Sequence, residues 1–480
     1  MRFLGPRFIA IHIGSKGKKA RALESERRLT VVHAESALTH EGWTSDVRLA
    51  IEKGTIAAIE TGVSARDGDE RCAILIPALA NLHSHAFQRA MAGLAETRGP
   101  GADTFWTWRE TMYRFALTMN PDDVEAVAAQ LYVEMLEAGF AAFAEFHYLH
   151  HAPDGAPYAD RAEMAGRVVA AARDTGIGLT LLPVFYAHGG FGAKPPKPEQ
   201  RRFITDVASF ARLFESCERL VEGRPDEAIG VAPHSLRAAT PAELADVIAL
   251  AEKRPIHIHA AEQFGEVEDC VASLGARPVR WLLDQAGVDR HWCLVHATHM
   301  DAAETRGLAA SGAVAGLCPI TEANLGDGVF NARAYLDAGG RFGVGSDSNV
   351  SIGAADELRR LEYSQRLAAR SRNVLAPHGG STGRALFDAA LIGGAKALAR
   401  SSGRLATGAR ADFLTLDADH PTLAGKAGDT ILDAWIFTAG NALVDCVWSG
   451  GRRVVQGGRH ASRERIAARF KATMRRLCAA

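Results

Sequence analysis

The sequence predicts an α/β protein: a (β/α)8 TIM-like barrel with a small β-sandwich formed by the two ends of the chain. Three observations predict it. Apolar strand patterns alternate with helical patterns through the middle of the chain, the signature of βαβ units on a parallel sheet. Roughly eight such strands fall within about 320 residues, which fits a closed barrel better than an open sheet. Both ends of the 480-residue chain instead carry runs of short strands separated by Gly, Asp and Ser.

Residues 1–28 are basic and hold one interrupted apolar piece, Phe8-Ile9-Ala10-Ile11-His12-Ile13. That piece is too short and too broken for a secretory signal, and Glu24 and Glu26 argue against a transit peptide. A disordered extension is expected here. Strands follow at 30–32, 47–51 and 56–59, with a hairpin turn at Lys53-Gly54. The far end repeats the pattern at 411–416, 444–448 and 453–455, with Gly450-Gly451 as a turn. The expected sandwich therefore comprises 29–76 plus 401–460, and the barrel 77–400. Within the barrel, helices are expected at 122–138, 241–253 and 302–311. A strand at 73–79 is followed by strands at 141–146, 179–184, 228–231, 256–259, 293–296, 313–317 and 342–345. The tail, 461–480, reads as a basic amphipathic helix packed on the surface.

Lys and Arg number 55 against 56 Asp and Glu, so no global basic face offers itself to nucleic acid. No apolar run is long enough to span a bilayer. The seven cysteines are scattered and form no Cys-x-x-Cys pair, which is neither a disulfide framework nor a thiolate zinc site. A cytoplasmic enzyme with a small-molecule substrate is expected, with no nucleic-acid or membrane partner. A homodimer is the default assembly.

In a barrel the chemistry lies at the C-terminal ends of the strands. The first such end carries Asn81-Leu82-His83-Ser84-His85. Residues i and i+2 of an extended chain face the same way, so both imidazoles can reach one metal. The second is Ile256-His257-Ile258-His259-Ala260-Ala261-Glu262, where a metal-type imidazole precedes a carboxylate able to move protons beside it. His257 lies deeper on the same face and reads as structural. The third is Val295-His296, and the fourth Gly345-Ser346-Asp347. A lone His-x-His is as often a pair of surface histidines as a ligand pair. Four strand ends of one barrel, each bearing a metal-type or proton-type group, are far more specific.

With these residues in place the chain resembles the amidohydrolase superfamily, and within it the mononuclear deaminases. The family order is His-x-His on strand one, His on strands five and six, and Asp on strand eight. Here that order corresponds to His83, His85, His259, His296 and Asp347. The branch also carries a Glu three residues after the strand-five His, here Glu262. The resemblance implies one divalent metal, Zn2+, held by His83, His85, His259 and Asp347, although iron also suits such donors. It implies catalytic roles for Glu262, His296 and Asp347. Binuclear relatives use a carboxylated Lys on strand four, but 161–193 contains no lysine. Glu145, at a strand end, is the one remaining carboxylate that argues for a second ion, and it reads better as a structural group.

A narrower resemblance is to the formimidoylglutamate deiminases of histidine breakdown, over about 29–458. It rests on Asn81-Leu82-His83-Ser84-His85-Ala86-Phe87-Gln88-Arg89, Phe105-Trp106-Thr107-Trp108-Arg109-Glu110, Ala144-Glu145-Phe146-His147-Tyr148, His234-Ser235-Leu236-Arg237 and Thr321-Glu322-Ala323-Asn324-Leu325-Gly326. It implies hydrolysis of N-formimidoyl-L-glutamate to N-formyl-L-glutamate and ammonia. It assigns Gln88, Arg109, Tyr148, His234 and Arg237 to substrate binding. The substrate chemistry agrees, since two carboxylates call for two guanidinium forks. By pattern alone Arg109 is better read as an ion-pair partner of Glu110, and Arg237 as a surface arginine before a helix. Trp106 and Trp108 receive no chemical role. The alternative is another mononuclear-zinc deaminase acting on a nucleobase or other amidine, which needs no arginine pair. A metal-free scaffold on the same barrel is the rival from a different class, and it would have lost ligands.

Overall fold

The computed structural model describes residues 29–99, 101 and 103–479. The extension expected at 1–28 lies outside the described residues. The amino-terminal strands are β1 Thr30–Thr39, β2 Gly42–Glu52, β3 Thr55–Glu60 and β4 Glu70–Pro77. The central strands are β5 Leu79–Ser84, β6 Phe140–His147, β7 Gly178–Phe185, β8 Glu227–Ile229, β9 Ala232–Pro233, β10 Ile256–Ala260, β11 Trp292–His296, β12 Val314–Leu317 and β13 Arg341–Val344. The carboxy-terminal strands are β14 Phe413–Leu416, β15 Val444–Ser449, β16 Arg452–Gln456 and β17 Arg459–His460.

The central strands pair only in parallel, as β5-β6-β7-β8 with β9 continuing on β7, and as β10-β11-β12-β13. Two seams join these sheets. Parallel bridges Val231–Ile256 and Ser235–His259 link the β8–β9 stretch to β10, and Ser84–Asp347 links β5 to the end of β13. With β8 and β9 counted as one interrupted strand, eight strands form one ring. Every residue of β6 and of β7 is buried, as expected for strands covered on both faces. Helices cover the outside. The helix Thr382–Ala397 presses so closely on β13 that a Cβ at Gly393 would lie 1.8 Å from the Phe342 carbonyl oxygen. At the second seam a Cβ at Gly345 would lie 2.8 Å from the His83 nitrogen. Glycine is what lets the last strand meet the first there.

The two ends of the chain form one eight-stranded sheet, in the order β17-β16-β15-β14-β4-β1-β2-β3. The β2–β3 turn places Lys53 at φ +50° and Gly54 at φ +77°, the geometry that suits the twist of a two-residue hairpin. The sheet folds back on itself: Ile56 N–H donates to the Ala409 carbonyl at 2.9 Å, and Ala411 N–H to the Gly54 carbonyl at 2.9 Å. Val32, Leu49, Ile51, Ile56, Phe413 and Trp448 are enclosed between the two layers. The sandwich is thus one bent sheet rather than two separate ones.

The expected strand at 73–79 is divided in the structure. β4 ends at Pro77, paired with Phe413 in the end sheet, and β5 begins at Leu79 in the barrel. Pro77 has no N–H to extend a ladder, and the chain changes sheets there. His83 therefore lies inside the first barrel strand. The expected helix at 241–253 stops at Ala249, and Glu252 turns to φ +54° before Pro255 leads into β10. The tail forms the helix Arg463–Ala479, which buries Ile466 and Leu477 and pairs Arg469 with Glu125 at 2.6 Å.

Candidate active site

His83, His85, His259 and Asp347 come from β5, the turn after it, β10 and the end of β13. Their ligand atoms all lie within 4.8 Å of one another, and all four residues are buried. His83 Nε2 is 3.2 Å from His85 Nε2, 3.1 Å from His259 Nε2 and 3.5 Å from Asp347 Oδ1. Asp347 Oδ1 is 3.2 Å from His85 Nε2.

The hydrogen bonds behind these rings test whether a cation fits. His85 Nδ1 donates to the Phe146 carbonyl at 3.0 Å, and His259 Nδ1 to the His234 carbonyl at 3.0 Å. Each neutral ring then carries its lone pair on Nε2, aimed at the centre. His83 Nδ1 is buried without a partner. One proton on His83 Nε2 cannot serve two imidazole lone pairs and a carboxylate. A divalent cation can, and two nitrogens on a tetrahedral ion with bonds of about 2.0–2.1 Å lie roughly 3.3 Å apart. Burial pushes His83 down to about 3 and His259 well below the ordinary imidazole range, so both are neutral donors. Burial opposes the Asp347 charge, but the His83 and His85 contacts hold its carboxyl well below the usual range.

His296 ends β11 beside this cluster. Its Nδ1 faces Glu322 Oε1 at 3.3 Å, and Nε2 lies 3.8 Å from Glu262 Oε1 and 3.9 Å from Asp347 Oδ2. Burial lowers its basicity, yet Glu262, Glu322 and Asp347 together raise it to about 10. A bound cation acts on His296 in the opposite direction. Glu262 itself lies 3.7 Å from Arg237. The strand ends that carry these groups are strained: Ala261, His296, Ala297 and Asp347 adopt φ values of +52°, +67°, +50° and +44°. Such conformations cluster where a side chain must be re-aimed at a functional centre.

A cleft opens over the cluster, lined by His85, His259, Glu262 and Asp347 on its floor. The five residues assigned to substrate by resemblance, Gln88, Arg109, Tyr148, His234 and Arg237, all line it. Gln88 Nε2 donates to Tyr148 Oη at 2.7 Å, while Gln88 Oε1 is buried without a partner. Arg109 donates to the Tyr113 hydroxyl at 2.5 Å and, among the described residues, pairs with no carboxylate, Glu110 included. Buried Arg202 caps the helix Phe105–Thr118 that carries Arg109, donating to the Met119 carbonyl at 2.8 Å and to that of Ala116.

Other residues of the site had no signal of their own in the sequence. Tyr186, Met112 and Phe203 line the cleft. Cys318 joins His296 and Asp347 in a second group with ligand atoms within 4.8 Å, although burial holds its thiol well above the ordinary value. Glu145 stands apart from both groups. Its Oε1 accepts the Ala86 N–H at 2.6 Å, and burial pushes its carboxyl up to about 8. His257 donates Nε2 to the Ala397 carbonyl at 2.8 Å, tying β10 to an outer helix.

A parallel barrel with a His-His-His-Asp centre at the C-terminal ends of its strands defines a class of metal-dependent hydrolase. The chain belongs to the amidohydrolase family, whose model matches residues 74–454. Residues 29–73 match the N-terminal domain of formimidoylglutamate deiminase HutF. A formimidoylglutamate deiminase of Pseudomonas aeruginosa is 51% identical over 446 residues, covering 92% of this chain and 98% of that one. The crystal structure of an amidohydrolase from Brucella melitensis superposes with a TM-score of 0.90 at 56% identity, over 94% of this chain and all of that one. An adenosine deaminase from Xanthomonas campestris, solved with bound zinc, shares the fold at 20% identity, with a TM-score of 0.79 over 95% of this chain and 100% of that one.

Proposed function

We propose that the protein hydrolyses N-formimidoyl-L-glutamate to N-formyl-L-glutamate and ammonia, in histidine degradation. The carrying observation is the pair Arg109 and Arg237 at the cleft above the His83–His85–His259–Asp347 centre. Their guanidiniums lie 5.3 and 5.9 Å from the same Trp106 ring. A nucleobase has no use for two such cations, whereas a dicarboxylate amidine needs both. The 51% identity with a formimidoylglutamate deiminase supports the same reading.

In the proposed mechanism His83, His85, His259 and Asp347 hold one Zn2+, a donor set of three imidazoles and a carboxylate that suits it. With the ion bound, the centre supplies a water acidified towards neutrality. Arg109 and Arg237 grip the substrate carboxylates, and Gln88, Tyr148 and His234 add hydrogen bonds. His296 Nε2 and Asp347 Oδ2, 3.9 Å apart, form a coupled pair that takes the proton of the attacking water. Glu262 pairs with the protonated amidine, takes the proton that the added hydroxyl loses as the carbonyl forms, and delivers it to the departing nitrogen. Water adds to the formimidoyl carbon, the bond to the terminal nitrogen breaks, and ammonia leaves.

In this reading residues 77–400 carry the catalysis, and 29–76 with 401–460 brace the barrel. The seven free cysteines suit a reducing cytoplasm, and a homodimer is the proposed assembly. None of the described helices is long and apolar enough to cross a membrane. The test is ammonia release from N-formimidoyl-L-glutamate by the metal-loaded enzyme, with guanine and formamidine as controls. Turnover of a control in preference to the glutamate derivative would overturn the assignment.

A further inference from the structure

Trp106 is half exposed, at 50% of its surface, where a large indole is normally sheltered. It sits in the first turn of the helix Phe105–Thr118, whose Thr104 cap accepts the Trp106 N–H at 3.3 Å. Half of the indole is open to the surroundings, so core packing does not account for it. Its ring lies under two guanidiniums that reach it from different elements. Arg109, on its own helix, is centred 5.3 Å from the ring, and Arg237, from the turn after β9, 5.9 Å from it. Phe105, edge-on to Trp106 at 5.2 Å, makes the same two contacts at 5.6 and 6.0 Å, so the two rings form one platform.

Two guanidiniums sharing one small region repel each other, and Arg109 has no carboxylate partner among the described residues to relieve this. Arg237 has Glu262 only at 3.7 Å, and its Nε is buried without a partner. An aromatic face attracts both cations and leaves their N–H edges free to donate. A carboxylate placed there would neutralise the forks and compete with substrate.

We infer that Trp106 is a positioning residue for the two arginines, one that sets the spacing of the two substrate carboxylates without touching the reacting atoms. The inference rests on the proposed substrate class and deepens it. The aromatic platform holds the forks apart and oriented before substrate arrives, which lowers the ordering cost of binding a dicarboxylate. It also explains why Trp106 is exposed next to a polar cleft.

The experiment compares Trp106→Ala and Trp106→Phe with the wild type by steady-state kinetics and by calorimetric titration with the product N-formyl-L-glutamate. Trp106→Ala should raise KM for N-formimidoyl-L-glutamate about tenfold, leave kcat within about twofold, and weaken product binding in parallel. Trp106→Phe should recover most of the loss, because a benzene ring still offers a face. A formimidoyl amine without carboxylates should be processed alike by all three proteins. In an Arg109→Ala/Arg237→Ala background the Trp106→Ala change should have no further effect, since its targets are gone. An unchanged KM and product affinity in Trp106→Ala, or equal losses with both substrates, would overturn the inference. If the wild type does not hydrolyse N-formimidoyl-L-glutamate, the functional assignment fails, while the titration with N-formyl-L-glutamate still reads the platform by itself.

Discussion

His85 and Asp347 meet twice at the seam where the last barrel strand joins the first. The His85 N–H donates to the Asp347 carbonyl at 3.0 Å, and the Asp347 carboxylate lies 3.2 Å from His85 Nε2. One contact closes the backbone ring and the other closes the candidate metal centre. The fold thus brings together two candidate ligands 262 positions apart, 347 less 85, through main-chain bonds that need no ion.

Metal content follows from this arrangement. His259→Ala removes one donor of four and leaves the seam intact. It should abolish tight binding of the ion and with it the activity, while circular dichroism and the thermal unfolding of the metal-free protein stay near wild type. A core spanning about 300 residues does not depend on one ion for its folding. A His259→Ala protein that keeps one equivalent of tightly bound metal would remove His259 from the ligand set.

Glu262→Gln separates proton transfer from binding. The amide keeps the size of the side chain and its hydrogen-bonding reach but cannot shuttle a proton. Metal content and product affinity should remain near wild type, and turnover should fall by at least about a hundredfold. Near-normal kcat would shift the proton-transfer role to a neighbouring group such as His296.

The clustering of the four candidate ligands was legible in the sequence because each lies near the end of a strand or in the turn after one, and strand ends of a barrel share one face. His83, His85, His259 and Asp347 needed only period-two alternation and strand order. Cys318 and Glu322 were not legible as neighbours of His296. Their approach depends on how the turn after β12 folds, and no local pattern encodes that. The change of sheet at Pro77 was hidden because 73–79 is one unbroken apolar run, and burial alone does not say which sheet a strand joins. Trp106 stood in a specific motif, yet only the three-dimensional approach of Arg237 gives it a task.

Glu145 tests whether a second ion has a place, and it gives a pH signature. Its carboxyl is pushed by burial from an ordinary 4.5 to about 8 in the folded state. Between those values the folded protein holds a proton that the unfolded chain has lost, so this group makes stability fall as pH rises from about 4.5 to 8. Glu145→Gln keeps an acceptor for the Ala86 N–H and removes the titration. Its melting temperature should gain on the wild type as pH rises through that window, with metal content unchanged. A loss of bound metal in Glu145→Gln would make Glu145 a ligand, and a pH-independent difference would mean the carboxyl is ionised in the folded state.

The choice of a dicarboxylate rests on Arg109 and Arg237. Each fork lines the cleft over the centre, and Arg109 has tyrosine hydroxyls and aromatic faces around it, Tyr113 at 2.5 Å among them. Removing either fork leaves one substrate carboxylate unpaired in a partly dry cleft. That should cost on the order of 2–4 kcal/mol in transition-state binding, roughly thirtyfold to a thousandfold in kcat/KM. Lysine should rescue only in part, because it keeps the charge and loses the two-pronged geometry. With a formimidoyl amine lacking carboxylates the loss should nearly vanish for Arg109→Ala and shrink to the kcat part for Arg237→Ala. Arg109→Ala should leave the centre untouched. Arg237→Ala also removes the cation 3.7 Å from Glu262 and should lower kcat as well as raise KM. If both alanine variants treat the two compounds as the wild type does, the arginines are structural and the site reverts to a deaminase of unspecified amidine or nucleobase.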